Sequence, residues 1–186
     1  MISNDGNNNK YLTGFSLIEL LVSVAILVIV SGLVFFNQSG FNNNILLQNL
    51  AYEISLTIRQ AQSYGLLSKE TEIGGTFEAG YGVYFTTDVS GNNKVILYAD
   101  NVVIDKKYTV GSDTVIDTLK MATGNTVTKL CAGDLCTITE LDISFIRPNP
   151  AAYINVDKEI GEIYIRSLRD EEKKIMVNKI GQISIE

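Results

Sequence analysis

The hydrophobic pattern changes twice along the chain. Residues 15–36, FSLIELLVSVAILVIVSGLVFF, are an apolar run with no basic residue and a single acid, Glu19. As a helix this run is roughly 33 Å long, about the thickness of a bilayer core. It is apolar on every side, unlike a surface helix with one dry face. From Leu47 onward the apolar positions thin to Leu47, Leu50, Ala51, Ile54, Ile58 and Ala61. Those steps follow a 3.6-residue period and predict an amphipathic helix over 45–68 with one face on a core. Gly32, Ser39 and Gly40 should loosen the chain between the two helices, and Asn42-Asn43-Asn44 offers N-caps for the second. After residue 72 the texture is that of strands. The candidates are 81–85, 94–98, 114–120, 126–131, 135–146, 152–156, 162–168, 173–178 and 181–185, separated by turn-rich stretches such as 86–93. A long helix followed by short strands predicts an α+β fold: an N-terminal helix, transmembrane half then amphipathic half, packed on an antiparallel β-sheet head.

Glu19 stands five residues into the apolar run. A carboxylate inside a bilayer costs about 2.5–3.5 kcal/mol on insertion scales. Either it reaches the headgroups or it awaits a cation. A cut after Gly14 would supply one: the new ammonium on Phe15, one helical turn away, or that of a neighbouring subunit. The preceding segment, MISNDGNNNKYLTG, is polar, with Lys10 near the junction. A secretory signal is cleaved after its apolar stretch. Here the small residue, Gly14, lies before it, so a cut there keeps the helix. Lys10 biases the leader towards the cytoplasm and the head outwards.

Gly14-Phe15-Ser16-Leu17-Ile18-Glu19-Leu20-Leu21-Val22 resembles the processing motif of type IV prepilins and type II secretion pseudopilins. The resemblance covers about the first 25 residues. It implies that a membrane prepilin peptidase cuts between Gly14 and Phe15 and methylates Phe15, and that Glu19 directs assembly. Phe36 stands where many major pilins carry Pro, which fits a minor pilin or pseudopilin. Residues 58–65, IRQAQSYG, resemble the corresponding helix of minor pilins and H-type pseudopilins. The implied organisation is a cytoplasmic leader at 1–14, an assembly helix at 15–36, an amphipathic helix at 37–68 and a β-rich head at 69–186. The implied partners are other pilin or pseudopilin subunits, the prepilin peptidase, an inner-membrane assembly platform and the lipid bilayer. The implied place is the cytoplasmic membrane, with the head outside, and then an extracytoplasmic filament. A pilus-tip adhesin, a DNA-uptake subunit and an anchored domain that never polymerises are the alternatives.

Composition removes most chemistry. The chain has no His, so the commonest general base and metal ligand are missing and no Ser-His-Asp arrangement exists. Gly74-Gly75 and Gly80-Tyr81-Gly82 read as turn glycines. Asp100-Asn101-Val102-Val103-Ile104-Asp105 is the nearest approach to a calcium loop, but Val and Ile occupy ligand positions, so a solvated turn is expected. Asp113, Asp117, Asp134 and Glu140 are scattered and read as surface. Neither catalysis nor a cofactor or metal is expected. Net charge is −6, which disfavours nucleic acid. A basic groove would have to come from Arg147, Lys158, Arg166, Arg169, Lys173, Lys174 and Lys179, and Glu159, Glu162, Asp170, Glu171 and Glu172 oppose it. Cys131 and Cys136, in CAGDLC, suit a small disulfide loop in an oxidising compartment, with free thiols the alternative. A lone pair is a poor zinc site.

Overall fold

A computed structural model of the chain describes residues 14–67, 80–100, 105–122, 124–155 and 157–186; the side chains of 34–43 and of 150 lie outside that description. The first element is one helix, α1 (Leu17–Leu67). The helix is continuous through Gly32, Ser39 and Gly40, the residues expected to loosen it, and Asn42–Asn44 do not start a second helical segment. Propagating a formed helix costs far less than nucleating a new one, and an interior Gly costs only about 1 kcal/mol. The chain divides into two compact units, Met1–Phe41 and Asn42–Glu186, and each is described by itself.

Within Asn42–Glu186, α1 is followed by β1 (Gly80–Thr86), β2 (Lys94–Asp100), β3 (Thr114–Lys120), β4 (Thr126–Ala132), β5 (Leu135–Ile138), β6 (Glu140–Ile146), β7 (Asn149–Ile154), β8 (Ile160–Arg166), β9 (Glu172–Asn178) and β10 (Ile183–Ile185). They form two antiparallel sheets, β3-β2-β1-β6-β7 and β10-β9-β8-β4-β5. The fold is α+β. The expected single strand 135–146 is two: β5 ends one sheet, the chain breaks at Thr139, and β6 enters the other. Continuous β propensity cannot reveal a strand that changes sheets. The expected 152–156 shifts to Asn149–Ile154, and the expected 162–168 shifts to Ile160–Arg166.

One core joins α1 to both sheets. Leu47, Leu50, Ala51, Ile54, Ile58 and Ala61, the whole predicted stripe, are buried in it. Val83, Phe85, Leu97, Leu130, Leu141, Ile143, Phe145, Ile163, Ile165, Ile175 and Val177 complete it from the strands. Helix and sheet meet closely at Gly65, where an added Cβ would lie 2.6 Å from the Phe145 carbonyl oxygen. Only glycine fits against that backbone.

Alternation along β1, β2, β6 and β7 puts Gly82, Tyr84, Ile96, Tyr98, Asp142, Ser144 and Tyr153 on the other face of the first sheet. By pattern alone this face should be wet. It is not: Tyr98, Asp100 and Ser144 are 0% exposed and Asp142 is 5% exposed. The β2–β3 loop, described over 105–113, lies against these residues. At Gly82 an added Cβ would come within 2.6 Å of the Tyr98 ring, so the glycine gives that ring room to lie across the sheet.

Candidate functional site

The expected processing site lies at the start of α1. Gly14, Phe15 and Ser16 precede the helix and are exposed. Ser16 is the N-cap. Its carbonyl accepts from the N–H of Glu19 at 3.1 Å and of Leu20 at 3.2 Å, and its Oγ accepts from the Glu19 N–H at 3.3 Å. Ser16-Leu17-Ile18-Glu19 thus has the Ser-x-x-Glu spacing of a capping box. That signal is legible in the sequence, but it overlaps the processing motif and is easily absorbed into it. Glu19 also lies in the first turn, where the positive end of the helix dipole favours a carboxylate. Among the described residues no cation pairs with Glu19. A Cβ built at Gly14 meets nothing within 4 Å. The described residues therefore give no steric reason for glycine there.

The helix that follows shows its apolar side chains in every direction. Phe15, Leu17, Ile18, Leu20, Leu21, Val24, Ile26, Leu27, Val28, Ile29 and Val30 are all more than half exposed. Among the described residues no helix is long and apolar enough to cross a membrane. The described side chains of the run stop at Leu33, short of the 15–36 span expected to cross.

Cys131 and Cys136 form a disulfide, with sulfurs 2.07 Å apart, across the β4–β5 turn. Gly133, with φ of 61°, supplies the left-handed residue of that turn. Their sulfurs and a Glu162 oxygen lie together, but both thiols are consumed in the bond and offer no thiolate to a metal.

Several of the candidate basic residues are engaged. Arg166 faces Asp170 and Glu172 at 3.9 and 3.1 Å, Lys174 faces Glu162 and Glu186 at 3.8 and 2.6 Å, and Lys179 faces Asp157 and Glu159 at 3.4 and 2.9 Å. Each cation carries two carboxylates, which opposes binding to a polyanion.

A second polar cluster was hidden in the sequence. Asp100, expected in a solvated turn, is instead the buried last residue of β2. Its Oδ2 accepts from the Lys106 N–H at 2.8 Å, while its Oδ1 is buried without a hydrogen-bond partner. Asp142 Oδ1 accepts from the Tyr98 hydroxyl at 3.1 Å and the Tyr108 N–H at 2.9 Å. The Tyr108 ring packs 5.1 Å from Tyr84 and 5.2 Å from Tyr98. Burial pushes both Asp100 and Asp142 up to about 6, although the Lys106 and Tyr108 N–H groups pull the other way. Burial, with the Asp142 carboxylate beside it, also raises Tyr98. Burial and the Glu140 hydrogen bond push Tyr84 up to about 12. The signal that could have found the cluster is weak: Asp142 and Ser144 alternate with Leu141, Ile143 and Phe145, as they would on any wet-faced strand.

Residues 11–35 match the family described as the prokaryotic N-terminal methylation motif, the type IV pilin and pseudopilin signature. No curated protein and no solved structure matches the chain. The motif supports a pilin-like or pseudopilin subunit and points to a structural role rather than an enzyme.

Proposed function

We propose that this chain is a minor pilin or pseudopilin, cut between Gly14 and Phe15, methylated at Phe15, and assembled into an extracytoplasmic filament through its N-terminal helix. The observation that carries this reading is the contrast between the two units. Asn42–Glu186 buries its own core, whereas the apolar side chains from Phe15 to Val30 are exposed all round beside a methylation motif. Such a helix needs an apolar environment, first lipid and then a bundle of like helices. The prepilin peptidase, the assembly platform and other subunits are the partners this role requires. The 1–14 segment is the leader, 15–36 the assembly helix, 37–68 the amphipathic helix and 69–186 the head. The freedom around Gly14 fits a glycine demanded by an enzyme's cleft rather than by this fold.

Intact mass and N-terminal sequence of the protein from its native membrane test the reading. A chain beginning at Phe15 and heavier by one methyl group is expected. A chain beginning at Met1 in a host with active peptidase would leave an anchored domain that does not polymerise.

Glu19 is the assembly residue in this reading. Its carboxylate pairs with a Phe15 ammonium as helices enter the bundle. Leaving one buried charge without its partner costs about 3–5 kcal/mol, so Glu19→Ala should cut filament yield by more than about 10-fold. Because Glu19 is exposed and takes no part in the core cluster of Asn42–Glu186, the unfolding midpoint of the head should not move. Quantitative immunoblotting of sheared filaments, beside thermal melting, checks both. Wild-type yield from Glu19→Ala would eliminate the pairing.

A further inference from the structure

The described part of the β2–β3 loop, 105–113, meets the first sheet through a few backbone groups and through the side chains of Lys106 and Tyr108, which pack on the Tyr153, Tyr84 and Tyr98 rings. Lys106 N–H reaches Asp100, Tyr108 N–H reaches Asp142, and the Ser144 hydroxyl reaches the Lys106 carbonyl at 3.5 Å. The Asp105 backbone also bonds to Asp100, and within the loop Lys107 N–H reaches Asp105, Thr109 N–H reaches Asp113, and Ser112 and Asp113 N–H reach the Thr109 carbonyl. The loop side chains at 105, 107 and 109–112 are exposed. A surface loop whose outer side chains are exposed opens below the global unfolding free energy.

What the loop covers is unusual. Two carboxylates lie beneath it, and neither has an ion pair among the described residues. The groups facing them are mostly acidic or neutral. Around Asp100 stand Asp105 and Asp113 from the loop. Around Asp142 stand Glu140 on its own strand, Tyr84 opposite it on β1, Tyr98 on β2, Asn155 after β7, and Tyr108 with Lys107 on the loop. The Lys106 ammonium is turned elsewhere, 3.9 Å over the Tyr153 ring. A buried carboxyl without a cation is stable neutral and costly ionised.

We propose that the 105–113 loop is a proton-operated latch, seated on the sheet when Asp100 and Asp142 are protonated and loosened when both ionise. Linkage sets the sign. With the loop seated the two carboxyls are buried, and burial raises both from the ordinary 3.8 to about 6. The seated state therefore binds more protons, and seating weakens as pH rises through about 6. The N–H bonds favour the charged forms, but burial outweighs them at both sites. The consequence is a loop carrying Lys106, Lys107 and Tyr108 that closes in acid surroundings and is released near neutrality.

Amide hydrogen exchange on the full chain in detergent micelles tests this. The observables are the protection factors of Lys106 and Tyr108, corrected for intrinsic exchange at each pH. Protection should be at least about 10-fold higher at pH 5 than at pH 7.5. It should become flat and high in Asp100→Asn/Asp142→Asn. Equal protection at the two pH values in the wild type would overturn the latch. So would pH dependence that survives the double substitution. If the double variant does not fold, Asp105→Asn serves instead. It removes a negative neighbour of Asp100 at an exposed position and should move the transition to lower pH, and an unmoved transition would equally sink the proposal.

Discussion

Truncating Ile58 to alanine is expected to destabilise the Asn42–Glu186 unit by about 2–5 kcal/mol, the cost of an emptied site in a packed core. Ile58 is 0% exposed and belongs to the one cluster that joins α1 to both sheets. Two five-stranded sheets and a helix converge there, so relaxation into the gap requires several elements to move together. That places the cost towards the upper half of the range. The control lies two residues away. Leu56 is 64% exposed, and Leu56→Ala should change stability by less than about 0.5 kcal/mol. Urea unfolding followed by tyrosine fluorescence separates the two cleanly, because the chain has no Trp and nine Tyr. Equal losses in the two variants would mean that the helix buries a different face.

The second large effect concerns Gly14. Gly14→Val should leave the chain uncut while the head melts as in the wild type. The physical case is the open space around Gly14, where an added Cβ meets nothing within 4 Å among the described residues. A β-branched residue is also tolerated outside the helix, which begins only at Leu17. Any strong phenotype must then arise in another protein's cleft. Mass spectrometry of the membrane fraction should show the leader retained in nearly all molecules. Normal cleavage of Gly14→Val would remove this glycine from the processing step. A collapsed head would mean that residues 14–16 matter to folding, contrary to the open surroundings of Gly14.

The amphipathic stripe on α1 was legible because helix period and burial are the same statement: Leu47, Leu50, Ala51, Ile54, Ile58 and Ala61 recur every 3.6 residues because one side faces a core. The Cys131–Cys136 bond was legible as one of two options, since a five-residue separation with Gly133 between allows a tight turn. The absence of a new N-cap at Asn42–Asn44 was not, because weak breakers matter only where the flanking segments do not already propagate a helix. The split of 135–146 was not legible either. Two strands with the same β propensity look alike whether or not they join the same sheet.

By itself, then, the sequence determined the class of each segment: an all-round apolar helix with one acid, a helix with one dry face, and a β-rich remainder, with a processing motif at the first junction. These are local properties, set by residue type and spacing along a few turns. Tertiary structure alone decided which strand faces are dry. Along β6 the alternation of Leu141, Asp142, Ile143, Ser144 and Phe145 assigns sides but does not say what lies beyond them. Asp142 meets Tyr108 across 34 residues of chain, and the loop that carries Tyr108 is the one that follows Asp100 and turns back onto it. Local pattern carries no record of such a cover, and burial beneath it raises the two aspartates above the ordinary carboxylate range.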